Sequence, residues 1–182
     1  MKSLLLCTGV LLAASASLLA QPAKVPASPA ATATGVIAGK TITVTYNSPR
    51  VKGREGHIFT KDGLISHDPH YPVWRAGANA ATTLKTEGPL MIGDLHVPAG
   101  TYTLFVDIAD PDHWTLVISK KTGEWGLAYD PAEDLGRVKL TMSKPSALVE
   151  ELKYTVESTG ARAGKLTLAW ENHVASVDIM AH

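Results

Sequence analysis

The stretch Thr41-Ile42-Thr43-Val44-Thr45-Tyr46 decides the fold class of this 182-residue chain. Ile42, Val44 and Tyr46 alternate with three threonines, and successive side chains of an extended backbone point to opposite sides. The apolar side chains therefore share one face, and the threonines share the other. Such a period of two residues is typical of a β-strand that is buried on one face only.

The same alternation recurs through the rest of the chain, and short turn motifs separate the repeats. Gly93-Asp94, for example, predicts a hairpin between residues 90–92 and 95–97. Pro131 to Leu135 fits a single helical turn, and no longer helix is indicated. The further alternating segments are 101–108, 113–119, 138–142, 152–156, 166–170 and 177–179.

These segments predict an all-β domain of roughly nine or ten strands. Antiparallel strands with one polar face pack well as two sheets, so we predict a jelly-roll-like antiparallel β-sandwich. A single sheet curled into a barrel is the alternative arrangement. Residues 34–182 are predicted to form this one domain, which is long enough to bury a sizeable core without disulfides.

The first twenty residues are predicted to be a secretory signal peptide. Lys2 gives a positively charged start, and the apolar run from Leu4 to Leu19 is short for a membrane span. Small residues permit cleavage after Ala16 or after Ala20. Residues 21–33, rich in Ala, Pro, Ser and Thr, are then predicted to be a flexible tether. We therefore expect a periplasmic or secreted protein.

Composition argues against several classes of function. The one cysteine, Cys7, lies in the signal segment, so no disulfide, thiol nucleophile or thiolate metal site is expected in the exported chain. Without Lys2, 16 basic residues stand against 17 acidic ones, which argues against a nucleic-acid partner. No second apolar run reaches membrane length. No cofactor is predicted, and the chain has no glycine-rich phosphate loop. The absence of a Gly-x-Ser-x-Gly motif argues against a serine nucleophile of that type.

The run from Pro72 to Leu84 and the basic segment Arg50–Arg54 hold the candidate binding residues. Guanidinium groups bind carboxylate or phosphate through paired hydrogen bonds, and aromatic rings offer apolar faces. Gly77 is expected to permit a backbone turn that other residues resist. If the two stretches meet in space, they form a ligand site; in the alternative, they are purely structural. The predicted site consists of Tyr46, Arg50, Lys52, Arg54, Trp74, Arg75 and Asn79.

Two polar clusters resemble metal sites, but neither is favoured. His67-Asp68-Pro69-His70, together with His57, offers ligands that zinc takes, yet these residues stand on a loop that fixes no geometry. Three aspartates at a hairpin end offer oxygen ligands for calcium, yet Asp-Pro-Asp is ordinary turn chemistry. No metal is therefore predicted. The three aspartates are Asp107, Asp110 and Asp112.

The remaining tryptophans are divided between core and loop. Trp114 and Trp170 are predicted to pack in the core or at a sheet end, since burial of an indole removes a large apolar area from water. Trp125 stands between Gly123-Glu124 and Gly126, in a loop-like context. Of these three tryptophans, Trp125 is the best candidate for contact with a ligand.

Several motifs follow one another along the chain. They are Tyr46-x-x-Pro49-x-x-Lys52-Gly53-Arg54, Val73-Trp74-Arg75-x-Gly77-Ala78-Asn79-x-x-Thr82, Pro98-Ala99-Gly100-Thr101-Tyr102-x-Leu104-Phe105, Trp114, Trp125-Gly126 and Trp170-Glu171. In this order they resemble an exported bacterial family filed as domain of unknown function 2911. The resemblance extends from about Thr34 to the end of the chain. It implies a compact, mostly β domain behind a signal peptide, and it assigns no catalytic residue.

The chain departs from that family pattern in the loop before the Trp-Arg pair. Members usually carry a Phe-Gly segment and a Val-Pro-Tyr-like stretch there. This chain has the segment Phe59–Ile65, followed by Ser66–Tyr71. A ligand shaped by this loop is therefore expected to differ here.

The leading functional prediction is non-enzymatic binding of a small polar or anionic ligand, or of an envelope partner. The first alternative is a hydrolase in which a loop histidine, such as His70, works with Asp68 or another carboxylate as general base. The second alternative is a structural module that docks an envelope protein through an exposed sheet edge or face.

Overall fold

The computed structural model describes residues 26–182, and the regular structure within them is almost entirely β-strand. The predicted signal peptide and most of the predicted tether lie outside the described residues. Two isolated 3-10 turns, Ile65–His67 and Pro131–Glu133, are the helical elements of this part of the chain. No helix within residues 26–182 has the length and apolar character needed to cross a bilayer.

Thirteen strands in the described residues form two antiparallel sheets. The first sheet has the order β1-β2-β4-β7-β8-β9, with β3 paired to β7 beyond the end of β4. The second has the order β11-β12-β13-β5-β6, with β10 paired to β13. The predicted all-β sandwich is confirmed, and the two sheets do not close into the alternative barrel. The strands are β1 (Ala30–Ile37), β2 (Lys40–Asn47), β3 (Val73–Trp74), β4 (Thr82–Thr86), β5 (Leu90–Ile92), β6 (Leu95–Val97), β7 (Gly100–Asp107), β8 (Thr115–Ser119), β9 (Asp134–Lys139), β10 (Thr141–Ser143), β11 (Val149–Ser158), β12 (Ala163–Glu171) and β13 (His173–Ala181).

Strand β2 shows how the period of two residues builds the core. Ile42 and Val44 are fully buried and Tyr46 nearly so, whereas Thr45 is exposed. The buried side chains join one continuous cluster that lies between the sheets. Removal of this apolar area from water is the main favourable term in folding.

Strand β7 departs from simple alternation because both of its faces are covered. Leu104 and Val106 belong to the cluster between the sheets. Phe105 packs with Val73 and Val117 in a second cluster, against the ring of Tyr129. Residues 48–72, between β2 and β3, form a long loop. Strand β3 follows this loop, carries the candidate site residue Trp74 and is paired to the well-buried β7.

The structure has more strands than the nine or ten predicted, and the first begins earlier than expected. Strands β3 and β10 have two and three residues, too few to show a period of two. Strand β1 begins at Ala30 and pairs its first four residues with residues 44–47 of β2. Residues 30–33 therefore belong to the sandwich rather than to a tether. Sequence analysis assigned them to the tether because their alanines and threonines resemble the composition of a linker.

The chain leaves the first sheet after β2 and crosses to the edge of the second. Ser48 Oγ donates a hydrogen bond to the Leu152 carbonyl at 2.6 Å. The Val51 amide donates to the Glu150 carbonyl at 2.8 Å. Both acceptors lie in β11, so the crossing brings the basic segment Arg50–Arg54 to one edge of the sandwich.

Gly35→Ala is expected to destabilise the fold because β1 packs directly on β11. An alanine Cβ at this position would stand 2.5 Å from the Val156 carbonyl oxygen. Overpacking of this kind costs about 1–3 kcal/mol, which urea unfolding measures. Gly160→Ala is the control, since its Cβ would meet only Ala163 at 3.6 Å, and it should cost less than about 0.5 kcal/mol. Equal losses in both variants would contradict the close packing.

Candidate ligand-binding site

A cleft of about 400 Å³ lies where the segment after β2 meets the segment after β3. Its walls are the basic segment Arg50–Arg54, the loop around Asp68 and the turn that follows Trp74. Six of the seven predicted site residues border this cleft, so the two stretches do meet in space. These six residues are Arg50, Lys52, Arg54, Trp74, Arg75 and Asn79.

Hydrogen bonds hold the basic segment in a tight turn. Lys52 has a positive φ of 49°, and its amide donates to Glu150 Oε1 at 2.9 Å. Arg54 folds back on the segment, so that Nε donates to the Val51 carbonyl at 3.0 Å and Nη2 donates to the Arg50 carbonyl at 2.6 Å. Backbone carbonyls thereby orient the Arg54 guanidinium. These carbonyls carry no net charge, so the positive charge of Arg54 is not neutralised by them.

The turn after β3 is fixed by hydrogen bonds from buried side chains. The Ala76 carbonyl accepts from the Tyr154 hydroxyl at 2.9 Å and from Thr82 Oγ1 at 3.2 Å. Ala76 and Asn79 have positive φ angles of 51° and 57°, which cost residues other than glycine some conformational energy. The surrounding contacts therefore impose the turn that places Arg75.

Gly77 serves close packing in this turn rather than a left-handed backbone. It is not among the residues with positive φ, so other residues are resisted in this turn for lack of space rather than because of the backbone conformation. A Cβ at this position would stand 2.7 Å from Thr82 Oγ1 and 3.3 Å from the Asn47 carbonyl oxygen. The lack of a side chain lets the turn lie directly against β2 and β4.

An aromatic cluster forms the floor of the cleft and joins the long loop to both sheets. Trp74 of β3 stacks on Trp170 of β12, with ring centroids 5.8 Å apart. Trp114 and Trp170 are both core residues, as predicted. Phe59, from the long loop, packs among the indoles, with its ring centroid 5.6 Å from Trp74, 4.8 Å from Trp114 and 5.6 Å from Trp170.

The two aromatic residues predicted as ligand contacts are both buried. Trp74 is only 3% exposed, so it closes the floor of the cleft rather than offering a flat face. Tyr46 does not border the cleft. Its ring packs edge-on against Tyr154 at 4.9 Å, and its hydroxyl accepts from the Tyr154 amide at 3.2 Å. Tyr46 points into the core because it shares the buried face of β2 with Ile42 and Val44.

The cleft carries more positive than negative charge. Arg50 Nη2 pairs with Glu151 Oε1 at 2.6 Å. Arg75 Nε lies 3.5 Å from Asp68 Oδ2. Among the described residues, the cleft cations with no carboxylate oxygen within 4.0 Å are Lys52 and Arg54.

Three polar atoms of the cleft-lining residues are buried and have no hydrogen-bond partner within residues 26–182. Asp68 Oδ2 is an acceptor, whereas Arg50 Nε and Trp170 Nε1 are donors. The Asp68 side chain is 4% exposed and Trp170 is 2% exposed. Buried polar groups are usually hydrogen-bonded, so these three atoms are exceptions, and their burial leaves them without contact to a ligand in the cleft.

The histidines considered as metal ligands are separated in the structure. His67 borders the cleft, whereas the ring of His70 packs edge-on against Tyr129 at 5.7 Å. In the aspartate cluster, Asp107 Oδ2 pairs with Arg137 Nη1 at 3.2 Å. Within the part of the chain that the structure describes, no three His, Cys, Asp or Glu side chains are grouped as a metal site requires.

A contact from the last residue of β12 supports the cleft and was missed by sequence reasoning. Glu171 Oε1 accepts a hydrogen bond from the Gly56 amide at 2.7 Å and so anchors the loop next to Arg54. Glu171 is 2% exposed. Strict alternation predicts an exposed side chain here, because Trp170 faces inward. The only signal in the sequence was the Trp170-Glu171 pair among the family motifs.

Trp125 lies beside the cleft and is the most exposed of the tryptophans. It forms an isolated bridge with Ala80 and is 57% exposed. The following amide, of Gly126, donates to the Asn79 carbonyl at 3.1 Å. Its exposure agrees with the loop-like context predicted, and contact with a ligand stays a prediction.

The sequence profile of a family described as "Protein of unknown function (DUF2911)" matches residues 28–179. This chain belongs to that family. The match includes both sheets and the whole segment that forms the cleft walls, and it confirms the resemblance drawn from the motifs. No curated protein and no solved structure matches the chain.

The folded protein favours the neutral form of the His173 imidazole. Its ring stacks on Trp114 at 5.2 Å and lies 4.6 Å from Phe59. Burial lowers the pKa of His173 below its usual value; the nearby Lys144 charge acts in the same direction, and the Glu171 carboxylate opposes it.

His173→Gln is expected to remove part of the acid sensitivity of the fold. The unfolded chain takes up a proton at His173 near about pH 6.5, whereas the folded protein does so only at lower pH. Stability is therefore lost as the pH falls below about 6.5. Urea unfolding at about pH 7.5 and about pH 5.5 should show that acidification costs the wild type more than the variant. A larger loss in the variant would contradict the lowered pKa.

Proposed function

We propose that this DUF2911 family member is an exported, non-enzymatic protein that binds a small anionic ligand in the cleft. Export is proposed from the predicted signal peptide of residues 1–20, and it places the ligand in the periplasm or outside the cell. The observation that carries the proposal is the grouping of four cations around a cleft whose described lining contains one carboxylate, Asp68. The cations are Arg50, Lys52, Arg54 and Arg75.

The arrangement of charge favours an anion. Two of the four cations are paired with carboxylates, and the other two, Lys52 and Arg54, are not. A charge-assisted hydrogen bond is roughly twice as strong as a neutral one. Lys52 is exposed, whereas Arg54 is partly buried, and a partly buried charge is less screened by salt. A carboxylate or phosphate group between these two side chains is therefore the best complement to the cleft.

The dimensions of the cleft favour a small molecule over an envelope protein. Its volume of about 400 Å³ falls in the range of roughly 300–1,000 Å³ that small-molecule sites occupy. An apolar floor of Trp74 and Trp170 with polar groups converging from the walls is also typical of such sites. Docking of an envelope partner through a sheet edge is a separate prediction, and it uses none of these features.

The hydrolase alternative uses the same wall of the cleft for a different purpose. His67 and Asp68 both border the cleft, and a carboxylate or histidine can act as a general base. The ring of His70, the histidine first considered, packs against Tyr129 instead. Binding is preferred because it gives a role to Lys52 and Arg54, the two cations without a carboxylate partner among the described residues, whereas hydrolysis requires only the histidine and the aspartate.

Lys52→Gln and Arg54→Gln are each expected to weaken anion binding about tenfold. Each change removes a cation that has no carboxylate partner while preserving much of the length of the side chain. The probes are citrate, gluconate, inorganic phosphate and glucose 6-phosphate, titrated into the purified protein by isothermal calorimetry.

Two variants outside the cleft serve as matched controls. The Arg162 Nε also donates to a backbone carbonyl, that of Ala181 at 2.9 Å, so Arg162→Gln is the control for Arg54→Gln. Lys85→Gln, on the exposed side of β4, is the control for Lys52→Gln. Both should bind within about twofold of the wild type. The proposal fails if no probe binds the wild type, or if the controls weaken binding as much.

A further inference from the structure

Trp125 is an exposed aromatic residue whose backbone is fixed beside the cleft. It forms an isolated bridge with Ala80, and the amide of the following Gly126 donates to the Asn79 carbonyl at 3.1 Å. The Ala128 amide donates to the Trp125 carbonyl at 2.9 Å, which closes a turn. The Trp125 side chain is nevertheless largely exposed, whereas the other three tryptophans are each 2% or 3% exposed. A hydrogen-bonded backbone therefore holds an indole ring in contact with water.

The segment that carries Trp125 forms part of the cleft. Leu127 lines the cleft together with Arg75 and Asn79. Gly126 packs so closely on Arg75 that an added Cβ would stand 2.7 Å from Arg75 Cδ. Trp125 therefore lies at the edge of the cleft, on the side of Arg75.

Apolar side chains of the cleft lining are also accessible to a ligand. Leu64, on the long loop, lines the cleft and is 39% exposed, and Leu127 is half-buried. A carboxylate or phosphate group fills only a small part of a cleft of about 400 Å³, since one water takes roughly 30 Å³ in the liquid. A ligand that also has an apolar portion would remove these leucines and Trp125 from water, which is favourable.

A flat ring complements Trp125 better than a saturated group does. Aromatic rings that meet in offset-stacked or edge-to-face contacts gain stability beyond the apolar area that they bury. Tryptophan also has only two side-chain torsion angles, so its ordering by a ligand costs little conformational entropy. The apolar portion of the ligand is therefore best supplied by an aromatic ring.

We infer that the ligand is a small aromatic anion, in which a carboxylate or phosphate group is attached to a flat ring. The inference rests on the proposed function, because it assumes that an anion binds in the cleft. The anionic group binds beside Lys52 and Arg54, and the ring contacts Trp125, Leu64 and Leu127. Recognition of the ring by Trp125 is thus separate from recognition of the charge by the cations.

A series of small compounds that differ in one feature at a time tests the inference. Acetate supplies the anion alone, phenylacetate adds the ring, cyclohexylacetate has a saturated ring, and phenylacetamide lacks the charge. In calorimetric titration of the purified protein, phenylacetate should bind at least about tenfold more tightly than acetate. It should bind at least about threefold more tightly than cyclohexylacetate, although the saturated ring is no less apolar. Phenyl phosphate against inorganic phosphate repeats the first comparison and identifies which anionic group the cleft takes.

Trp125→Ala is expected to abolish the preference for the aromatic ring. The ratio of phenylacetate to cyclohexylacetate affinity should fall to about one, because the aromatic partner is gone. Acetate should still bind within about twofold of the wild type. Trp125→Phe keeps an aromatic side chain and should preserve the ratio. Met180→Ala, which shortens a 51% exposed side chain on β13, is the matched control and should leave the ratio unchanged.

Tryptophan fluorescence provides a readout that does not depend on affinity. The chain contains four tryptophans, and Trp125 is the one that acrylamide in the solvent can reach, since the others are 2% or 3% exposed. Saturating phenylacetate should therefore lower the quenching of wild-type fluorescence by acrylamide, whereas saturating acetate should leave it unchanged. Unchanged quenching with phenylacetate bound would overturn the inference, because the ring would then lie away from Trp125.

The outcomes separate this inference from the proposed function. If acetate or phosphate binds and the aromatic compounds bind no more tightly, the inference fails and anion binding stands. Equal binding of phenylacetate and cyclohexylacetate overturns the inference in favour of a ligand that is merely apolar, and a ratio unchanged in Trp125→Ala overturns it as well. If phenylacetamide binds as tightly as phenylacetate, or if none of the compounds binds, the proposed function fails and the inference fails with it.

Discussion

The packing of Phe59 among three tryptophans is the interaction on which the cleft depends. Phe59 belongs to the long loop after β2, whereas Trp74 lies in the first sheet and Trp170 in the second. One loop side chain thus joins both sheets to the segment that forms the cleft walls. An aromatic pair contributes about 0.5–1.5 kcal/mol beyond the area that it buries, so several such contacts hold a segment with almost no regular structure of its own.

Hydrogen bonds add to the aromatic packing in holding the loop after β2 in place. Glu171 accepts the Gly56 amide, and backbone carbonyls orient the Arg54 guanidinium. The cations of the basic segment are therefore carried on a supported frame, and a ligand does not have to order them. Preorganisation of this kind lowers the entropy lost on binding. Asp68, the one carboxylate among the described lining residues of the cleft, lies on the same loop, so much of the charge of the cleft depends on a single segment.

Period-two alternation made the fold predictable, because burial of one strand face requires apolar residues at every second position. Applied consistently, the same rule places Tyr46 in the core, against its assignment to the site. Strand β1 escaped the rule because alanine and threonine resemble linker composition. The cations of Arg50–Arg54 and Arg75 could be predicted as candidate binding residues from their side-chain chemistry, since few other side chains bind anions. The contributions of Asp68 and Trp170 to the cleft wall come from tertiary contacts that no local pattern encodes.

Hydrogen exchange in Phe59→Ala tests most directly whether aromatic packing holds the loop in place. The amides of Gly56, Leu64 and Ile65 are hydrogen-bonded within the loop or to β12. The account predicts that they exchange at least about tenfold faster in the variant, while amides of β7 and β12 keep their protection. Phe59→Leu, which retains most of the apolar contact, should fall between the variant and the wild type. Unchanged exchange in the loop, or an equal loss of protection across both sheets, would contradict the account.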